Sequence, residues 1–467
     1  MADYPVPELG NRTPLQAANK PNMDMIAAKG CSGLLKTVPD SLMPGSGTAI
    51  LSVLGYDPTR FYTGRGSFEA AGRNITLSEK DVAYRCNLVT EDDGILIDYS
   101  AGHITNNESR ELIKKISLEM GRSGEVEFFE GLDYRHFLIL RNYLPKEVVA
   151  CTPPHDAIGR SISEILPKAV TAEAEATAEL LRRMILGSKK VLGHHPVNVA
   201  REEAGKNAGN MIWPWGGGRK PVMPTYMQKY GVDGAVISAV DLVKGIGVYA
   251  GMKIIEVPGA TGLYDTNYEG KADFALDALE ECDMVFVHVE APDEAGHSKD
   301  YELKVKTIED LDKRLIGRVM DSLKNECVIA VLPDHPTPIK IGTHTREPVP
   351  FAIYSSNIEI DKVKMFDVAE QAAANEGQGV AGAGVGMGVG MGIGQQMSNM
   401  TAGLMDQQPD HKNALQNSGP ACIRCAHTLP ANAKFCPDCG TEQRSVAKFC
   451  AECGTEKSPD AKFCPNC

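Results

Sequence analysis

The sequence predicts an α/β fold, a doubly wound sheet with a second α/β domain inserted near its start, and three observations carry that prediction. Met284-Val-Phe-Val-His-Val289 and Cys327-Val-Ile-Ala-Val-Leu332 are short runs rich in β-branched residues and apolar on both faces, as strands of a covered parallel sheet are. Strand patterns at 234–240 and 252–257, separated by a helical stretch bearing Lys244, continue a strand-helix alternation through Leu332, which is the pattern of a doubly wound sheet. Each of the two apolar runs passes directly into residues of ligand type: Glu290-Ala-Pro-Asp-Glu-Ala-Gly-His297 after the first, and Pro333-Asp-His335 with His344 after the second. Open α/β sheets bind their ligands in the crevice beyond the carboxyl ends of the strands, so the placement itself points to a site.

Taken in order, the chain opens on a loop-like stretch, with a short helix expected near 23–29. Met43-Pro-Gly-Ser-Gly-Thr48 follows, where a Gly-bracketed Ser46 precedes an apolar helix expected to begin near Thr48. A serine there holds its hydroxyl close to helix N–H groups, which suits phosphate binding or nucleophilic attack; an ordinary N-cap serine fits the same three residues. From residue 61 to about 190 the texture changes. Strand-like pieces at 83–88, 95–99, 126–129 and 136–141 surround a helical 108–120, and a long amphipathic helix is expected over 161–186. The stretch 205–220, with both tryptophans, three consecutive glycines and paired basic residues, reads as a loop able to wrap an anion. The resulting division is a first core segment over 1–60, an insert over 61–190, a second core segment over 191–368, a linker over 376–418 and a terminal module over 419–467.

The ligand-type residues have a shared chemistry. Asp293 and His297 are four apart, so one helical turn points both the same way, and Asp334 and His335 are adjacent at a strand-to-loop turn. Mixed carboxylate and imidazole donors suit manganese, zinc or magnesium, and two sets suggest two divalent cations clamping a phosphoryl group. Any one of these histidines is more often a solvated loop residue; the convergence of several at two strand ends favours a site. With 48 basic and 61 acidic residues the chain carries a formal −13, which disfavours general binding to nucleic acid or anionic membrane. No leader-like segment opens it and no apolar run is long enough to span a bilayer. Five cysteines are scattered singly, as reduced thiols of a cytoplasmic protein would be.

The last ninety residues differ from the rest. Gly379 to Gly394 is uncharged and glycine-dominated, a composition too costly to order and read as a flexible linker. Four C-x-x-C pairs follow at Cys422/Cys425, Cys436/Cys439, Cys450/Cys453 and Cys464/Cys467, each starting fourteen residues after the last. Two such knuckles complete one tetrahedron of thiolates, so the array predicts two structural zinc sites. From Asp406 on, seven basic residues balance seven acidic ones, which argues for a protein partner over nucleic acid.

Residues 1 to about 365 resemble the archaeal-type cofactor-independent phosphoglycerate mutases of the alkaline phosphatase superfamily, including a bacterial branch sometimes proposed to be homoserine kinases. The resemblance rests on Met1-Ala-Asp-Tyr-Pro5, Leu54-Gly-Tyr-Asp-Pro58, Asp98-Tyr-Ser-Ala-Gly-His103, Thr152-Pro-Pro-His-Asp156, Val257-Pro-Gly-Ala-Thr-Gly262, Ala291-Pro-Asp-Glu-Ala-Gly-His297 and Leu332-Pro-Asp-His335. It implies an alkaline-phosphatase-like sheet with an inserted substrate or lid domain, and isomerisation of 3-phosphoglycerate and 2-phosphoglycerate through a phosphoserine on Ser46, without 2,3-bisphosphoglycerate. It implies one cation at Asp293, His297 and His344 and another at Ser46, Asp334 and His335, with His155 or Asp156 moving the hydroxyl proton. Arg65, Arg135, Arg201, Arg219 and Lys271 are implied contacts to phosphate and carboxylate. In the family a strand ending Asp-Gly stands just ahead of Met-Ala-Asp, so the likeness also implies that a sheet strand and an Asp ligand are missing ahead of Met1, and polar family positions fall on Gly47 and Ile50. The tail is similar to the ends of SPFH or virion-core-like proteins and lies outside the mutase family. The rival readings are a homoserine kinase-like phosphotransferase, a metal-dependent phosphatase, and a zinc-ribbon adaptor with a disabled enzyme domain.

Overall fold

Apolar β-branched runs become strands here, buried throughout Val82–Glu91 and only partly covered over Met284–Val287 and Ile329–Val331. The computed structural model describes residues 1–366 apart from 144–148, 324–326, 356–359 and 362, and beyond them only the backbone of 448–449 and 456–457. The chain divides into two units, Met1–Leu404 and Met405–Cys467.

In the first unit β1 (Cys31–Leu35) is followed by two antiparallel hairpins, β2 (Val82–Asp92) with β3 (Ile95–Asp98) and β4 (Val126–Leu132) with β5 (Arg135–Leu140). The two-residue strands β6 (Val149–Ala150) and β7 (Lys168–Ala169) pair with each other, and β8 (Met211–Arg219) returns to pair with β2. Then come β9 (Gly234–Ile237), β10 (Lys253–Ile255), β11 (Met284–Val287), β12 (Ile329–Val331) and β13 (Val349–Tyr354).

The insert is a five-stranded sheet in the order β3-β2-β5-β4 with β8 against β2. Its long central strand is buried from Val82 to Glu91, because helices 106–120 and 175–192 cover one face with Leu112, Ile116, Leu181 and Leu192 against Cys86, Leu88 and Leu138. The boundary expected at 190 therefore moves: the sheet takes its last strand from Met211–Arg219. That strand also replaces the expected anion-wrapping loop. Its glycines answer a steric demand, since a Cβ at Gly217 would meet the Tyr84 ring at 2.4 Å and one at Gly218 the Gly64 carbonyl at 2.5 Å. The single long helix expected over 161–186 is likewise broken into a short helix Ile162–Ile165, β7 and the helix Glu175–Leu192. Pro167 cannot continue the first turn, lacking an N–H and clashing with the preceding carbonyl.

The core consists of two three-stranded sheets. β10-β9-β11 is parallel, as the alternation of strand and helix predicts, with β11 registered Met284 to Gly234 and Val287 to Ile237. β1-β13-β12 is antiparallel, which corrects the expectation that the 327–332 run joins a parallel sheet. Among the described residues β11 and β12 do not pair with each other. They form facing walls of a cavity of about 1310 Å³ lined also by Met1, Pro292, Leu315 and Ile316. The helix Arg65–Gly72 joins insert to core. It crosses the helix Asp241–Tyr249 so closely that a Cβ at Gly245 would stand 1.7 Å from the Phe68 carbonyl.

Of the described helices none is long and apolar enough to cross a membrane. In the second unit Lys448–Phe449 pairs antiparallel with Glu456–Lys457. The expected linker 376–418 and the ligand side chains of Cys422, Cys425, Cys436, Cys439, Cys450, Cys453, Cys464 and Cys467 lie outside the described residues.

Candidate active site

Three chain segments converge at the carboxyl ends of β11 and β12. The run after β11 forms the helix Ala291–His297, with Pro292 in its first turn where a missing N–H costs nothing. Its four-residue spacing brings Asp293 Oδ2 to 3.1 Å from His297 Nε2. The loop after β12 supplies His344, whose Nε2 is 3.6 Å from the same carboxylate oxygen and 3.0 Å from His297 Nε2. The second loop group is Asp334 and His335, with His335 Nε2 3.3 Å from Asp334 Oδ2. Ser46 starts the helix Ser46–Val53 instead of preceding it, and its Oγ lies 3.1 Å from His335 Nε2. His335 and His344 touch, with ring centroids 4.0 Å apart. The structure thus brings Ser46, Asp293, His297, Asp334, His335 and His344 into one cluster.

The donor set fits cations. His297 Nδ1 stands 3.0 Å from the Gly342 carbonyl, a contact only an N–H satisfies, so in the neutral ring the lone pair sits on Nε2 and faces Asp293 and His344. Fixing the tautomer from behind is how ligand imidazoles are oriented. Ligand atoms of Asp293, His297 and His344 all lie within 4.8 Å of one another. Asp334 Oδ2 is buried and accepts no hydrogen bond among the described residues. The carboxylate of Asp293 has such a demand for positive charge that its hydrogen bond raises His297 to about 9. Burial works against ionising Asp293, but hydrogen bonds from His297 and His344 hold it well below the usual carboxylate range. Burial lowers His335 and brings neighbouring His288 down to about 4, so both rings favour the neutral, donor-competent form.

Residues around the cluster were not singled out by the sequence. Thr337 donates a short hydrogen bond to Asp293 Oδ1. Its carbonyl in turn accepts from Lys304 Nζ at 2.8 Å, and Lys304 pairs with Asp3 at 2.7 Å with both side chains fully buried. That ion pair explains why Met-Ala-Asp matters locally: it ties the first residues to the ligand loop.

The other expected residues separate. Arg65 pairs with Glu69, and Arg135 lies over the Tyr134 ring. His155 packs its ring 5.3 Å from Trp215 and lies 3.9 Å from Asp156; burial lowers its pKa and Asp156 opposes that. Lys271 is buried under the strand end, donating to the His288 carbonyl at 2.9 Å, and burial brings it to about 8. Arg201 is not free to meet a ligand. Its guanidinium is engaged by Glu108 and the carbonyls of Ala101, Gly102 and Asn207, which lock the turn of the Asp98–His103 string. Arg219 ends β8, where its carbonyl accepts from Thr63. Arg85, absent from the expected set, pairs with Glu69 at 3.0 Å beside Arg65. An arginine in the buried first half of β2, among Val82, Ala83, Tyr84 and Cys86, was the available signal.

The fold and this cluster define the class, an α/β protein of the alkaline-phosphatase type whose ligand residues sit beyond its strand ends. Residues 168–338 match the family "Type I phosphodiesterase / nucleotide pyrophosphatase" and residues 27–198 the family "2,3-bisphosphoglycerate-independent phosphoglycerate mutase", while residues 422–467 match "Double zinc ribbon". The chain is 50% identical over 387 residues to the 2,3-bisphosphoglycerate-independent phosphoglycerate mutase of Methanosarcina mazei, covering 82% of this chain and 95% of that one. It is 49% identical over 361 residues to a probable enzyme of the same name from Geobacter sulfurreducens, covering 76% and 88%. The solved cofactor-independent phosphoglycerate mutase of Thermoplasma acidophilum superposes with a TM-score of 0.56 at 28% identity, covering 85% of this chain and 97% of that one. A protein of Pyrococcus horikoshii superposes with 0.71 at 29% identity, covering 85% and 95%. The chain belongs to the 2,3-bisphosphoglycerate-independent phosphoglycerate mutase family.

Proposed function

We propose that the protein interconverts 3-phosphoglycerate and 2-phosphoglycerate in the cytoplasm through a phosphoserine on Ser46. The observation that carries this reading is the 3.1 Å approach of Ser46 Oγ to His335 Nε2, which sets one hydroxyl among five other ligand-type residues. Asp293, His297 and His344 would hold one divalent cation, and Asp334, His335 and Ser46 a second. Such cations, when bound, neutralise the phosphoryl oxygens and favour ionised serine. The residues of the chain then have defined work. Ser46 Oγ attacks phosphorus as the glycerate oxygen leaves, and His155 hands that oxygen a proton. The glycerate turns while the phosphate stays on Ser46. Its other hydroxyl attacks phosphorus, His155 takes the proton back, and serine is released, so the cycle closes without a second phosphate donor. The insert, in which His155 packs on Trp215, would exclude the water that would otherwise hydrolyse the phosphoserine.

We further propose that the insert, core segments, linker and terminal module keep the division read from the sequence, with the insert extended through β8. The eight cysteines would hold two zinc ions in a module that meets a protein partner. The test is a coupled assay of the manganese-loaded full chain on 3-phosphoglycerate with no 2,3-bisphosphoglycerate added. Formation of 2-phosphoglycerate that falls by about 10⁴-fold or more in Ser46→Ala is the expected result. Release of inorganic phosphate in place of 2-phosphoglycerate would mean a phosphatase.

A further inference from the structure

Thr337 stands between the two groups of ligand-type residues and touches both. It is buried. Its hydroxyl donates to Asp293 Oδ1 and lies 3.4 Å from His335 Nδ1. A hydroxyl has one proton to give and lone pairs to receive. Ionised Asp293 can only accept, so the proton points there, and toward His335 the hydroxyl oxygen is left as an acceptor. The neutral His335 ring therefore carries its hydrogen on Nδ1 and its lone pair on Nε2, the atom 3.1 Å from Ser46 Oγ. On the other side Asp293 has Oδ1 engaged, and Oδ2 is the oxygen that stands 3.1 Å from His297 Nε2 and 3.6 Å from His344 Nε2.

The place of Thr337 is fixed from two directions. Asp293 and Gly296 are three apart and share a helix face, and a Cβ at Gly296 would stand 2.4 Å from the Thr337 carbonyl oxygen and 3.0 Å from its methyl carbon. The ligand helix is thus seated on Thr337 itself. From behind, the wholly buried Lys304 donates to the Thr337 carbonyl at 2.8 Å, to Asp3 Oδ2 at 2.7 Å and to the Ala2 carbonyl at 3.3 Å. An ammonium has no fourth proton, so Lys304 is fully engaged. Asp3 also accepts from the Ile339 N–H at 3.2 Å, which clamps the backbone two residues further on.

We propose that Thr337 is a positioning residue shared by both cation sites: it confines Asp293 to one ligating oxygen, holds His335 in the tautomer that ligates through Nε2, and so sets the choice of ion against calcium. This rests on the two-cation reading of the cluster and names the residue that selects the ion. Calcium gathers about six to eight oxygens and gains from a carboxylate that grips with both of its own. One carboxylate oxygen among imidazoles suits a transition ion such as manganese.

Calorimetric titration of the full chain with manganese and, separately, with calcium tests this; both ions favour oxygen donors over the eight thiolates. Thr337→Val keeps the branched shape and the methyl against Gly296 and removes the hydroxyl. It is expected to weaken manganese by roughly 10- to 100-fold, the size of losing an outer hydrogen bond to a ligand, and to leave calcium unchanged or tighter, since Asp293 Oδ1 is freed. Thr337→Ser, which keeps the hydroxyl, is expected to restore the native preference. Equal losses for both ions in Thr337→Val, or no restoration in Thr337→Ser, would overturn the proposal. Nitrogen NMR of the unaltered chain before manganese is added gives a check that needs no variant: hydrogen is expected on His335 Nδ1, and hydrogen on Nε2 would overturn the assignment. Failure of the two-cation reading shows separately, as manganese binding unchanged in Asp293→Ala.

Discussion

The insert is one five-stranded sheet and the core two three-stranded ones, and the two regions treat their strand edges differently. In the insert β2 has a hydrogen-bonded neighbour on each side, and helices close over it. In the core β11 and β12 each keep one side without a strand partner among the described residues, across a cavity lined by Val285, Val287, Ile329 and Val331. Unpaired edges and a void both forgo stabilisation, and the reaction centre stands at the carboxyl ends of these two strands. The difference teaches where stability and function divide: the insert supplies a saturated frame, while the core concentrates mutually repelling carboxylates beside a loosely packed seam.

The largest expected effect is on the core. Asp293→Ala removes the carboxylate shared by His297 and His344, and is expected to lower mutase turnover on the order of 10³-fold or more, measured with saturating manganese. Next is packing. Leu138→Ala, wholly buried in the insert, should cost about 2–5 kcal/mol in urea unfolding. Val287→Ala, half-buried against the cavity, should cost about 1 kcal/mol or less; equal losses would break the comparison. Manganese at one hundred times its dissociation constant should stabilise the protein by about 2.7 kcal/mol. Hydrogen exchange should show that protection rising at β11 and β12 and not at β2 and β5.

A further effect is a pH dependence of the insert. His136 is buried in β5, and burial lowers its pKa from 6.5 to about 3. The folded ring therefore binds fewer protons than the unfolded one. Stability is full above pH 6.5 and declines toward about 3, by at most about 1.4 kcal/mol per pH unit. Urea unfolding of a His136→Asn variant between pH 7 and pH 5 should lose that component of the slope.

Much of the core was legible because strand, turn and ligand residues are contiguous. Asp293 and His297 announce a helix turn by spacing alone, and the runs before Glu290 and Pro333 announce strand ends. What was not legible depends on chain segments meeting from afar. Nothing local shows that β12 pairs antiparallel with β13, or that Thr337 holds Asp293. The Gly216–Gly218 run looked like an anion loop because glycine reports a need for space without saying what fills it; here Tyr84 and the Gly64 backbone do. Arg201 carried the right charge for a substrate contact, but three carbonyls and Glu108 already engage it. Arg85 was hidden because its partner Glu69 lies sixteen residues away on a preceding helix, a pairing no local pattern shows.

The central claim is a covalent one and is tested by quenching the manganese-loaded full chain in acid during turnover of 3-phosphoglycerate and mapping phosphate by mass spectrometry. The account predicts phosphate on the peptide carrying Ser46 and its absence in Ser46→Ala. Isomerisation that persists in Ser46→Ala, or phosphate found on another residue, would contradict it.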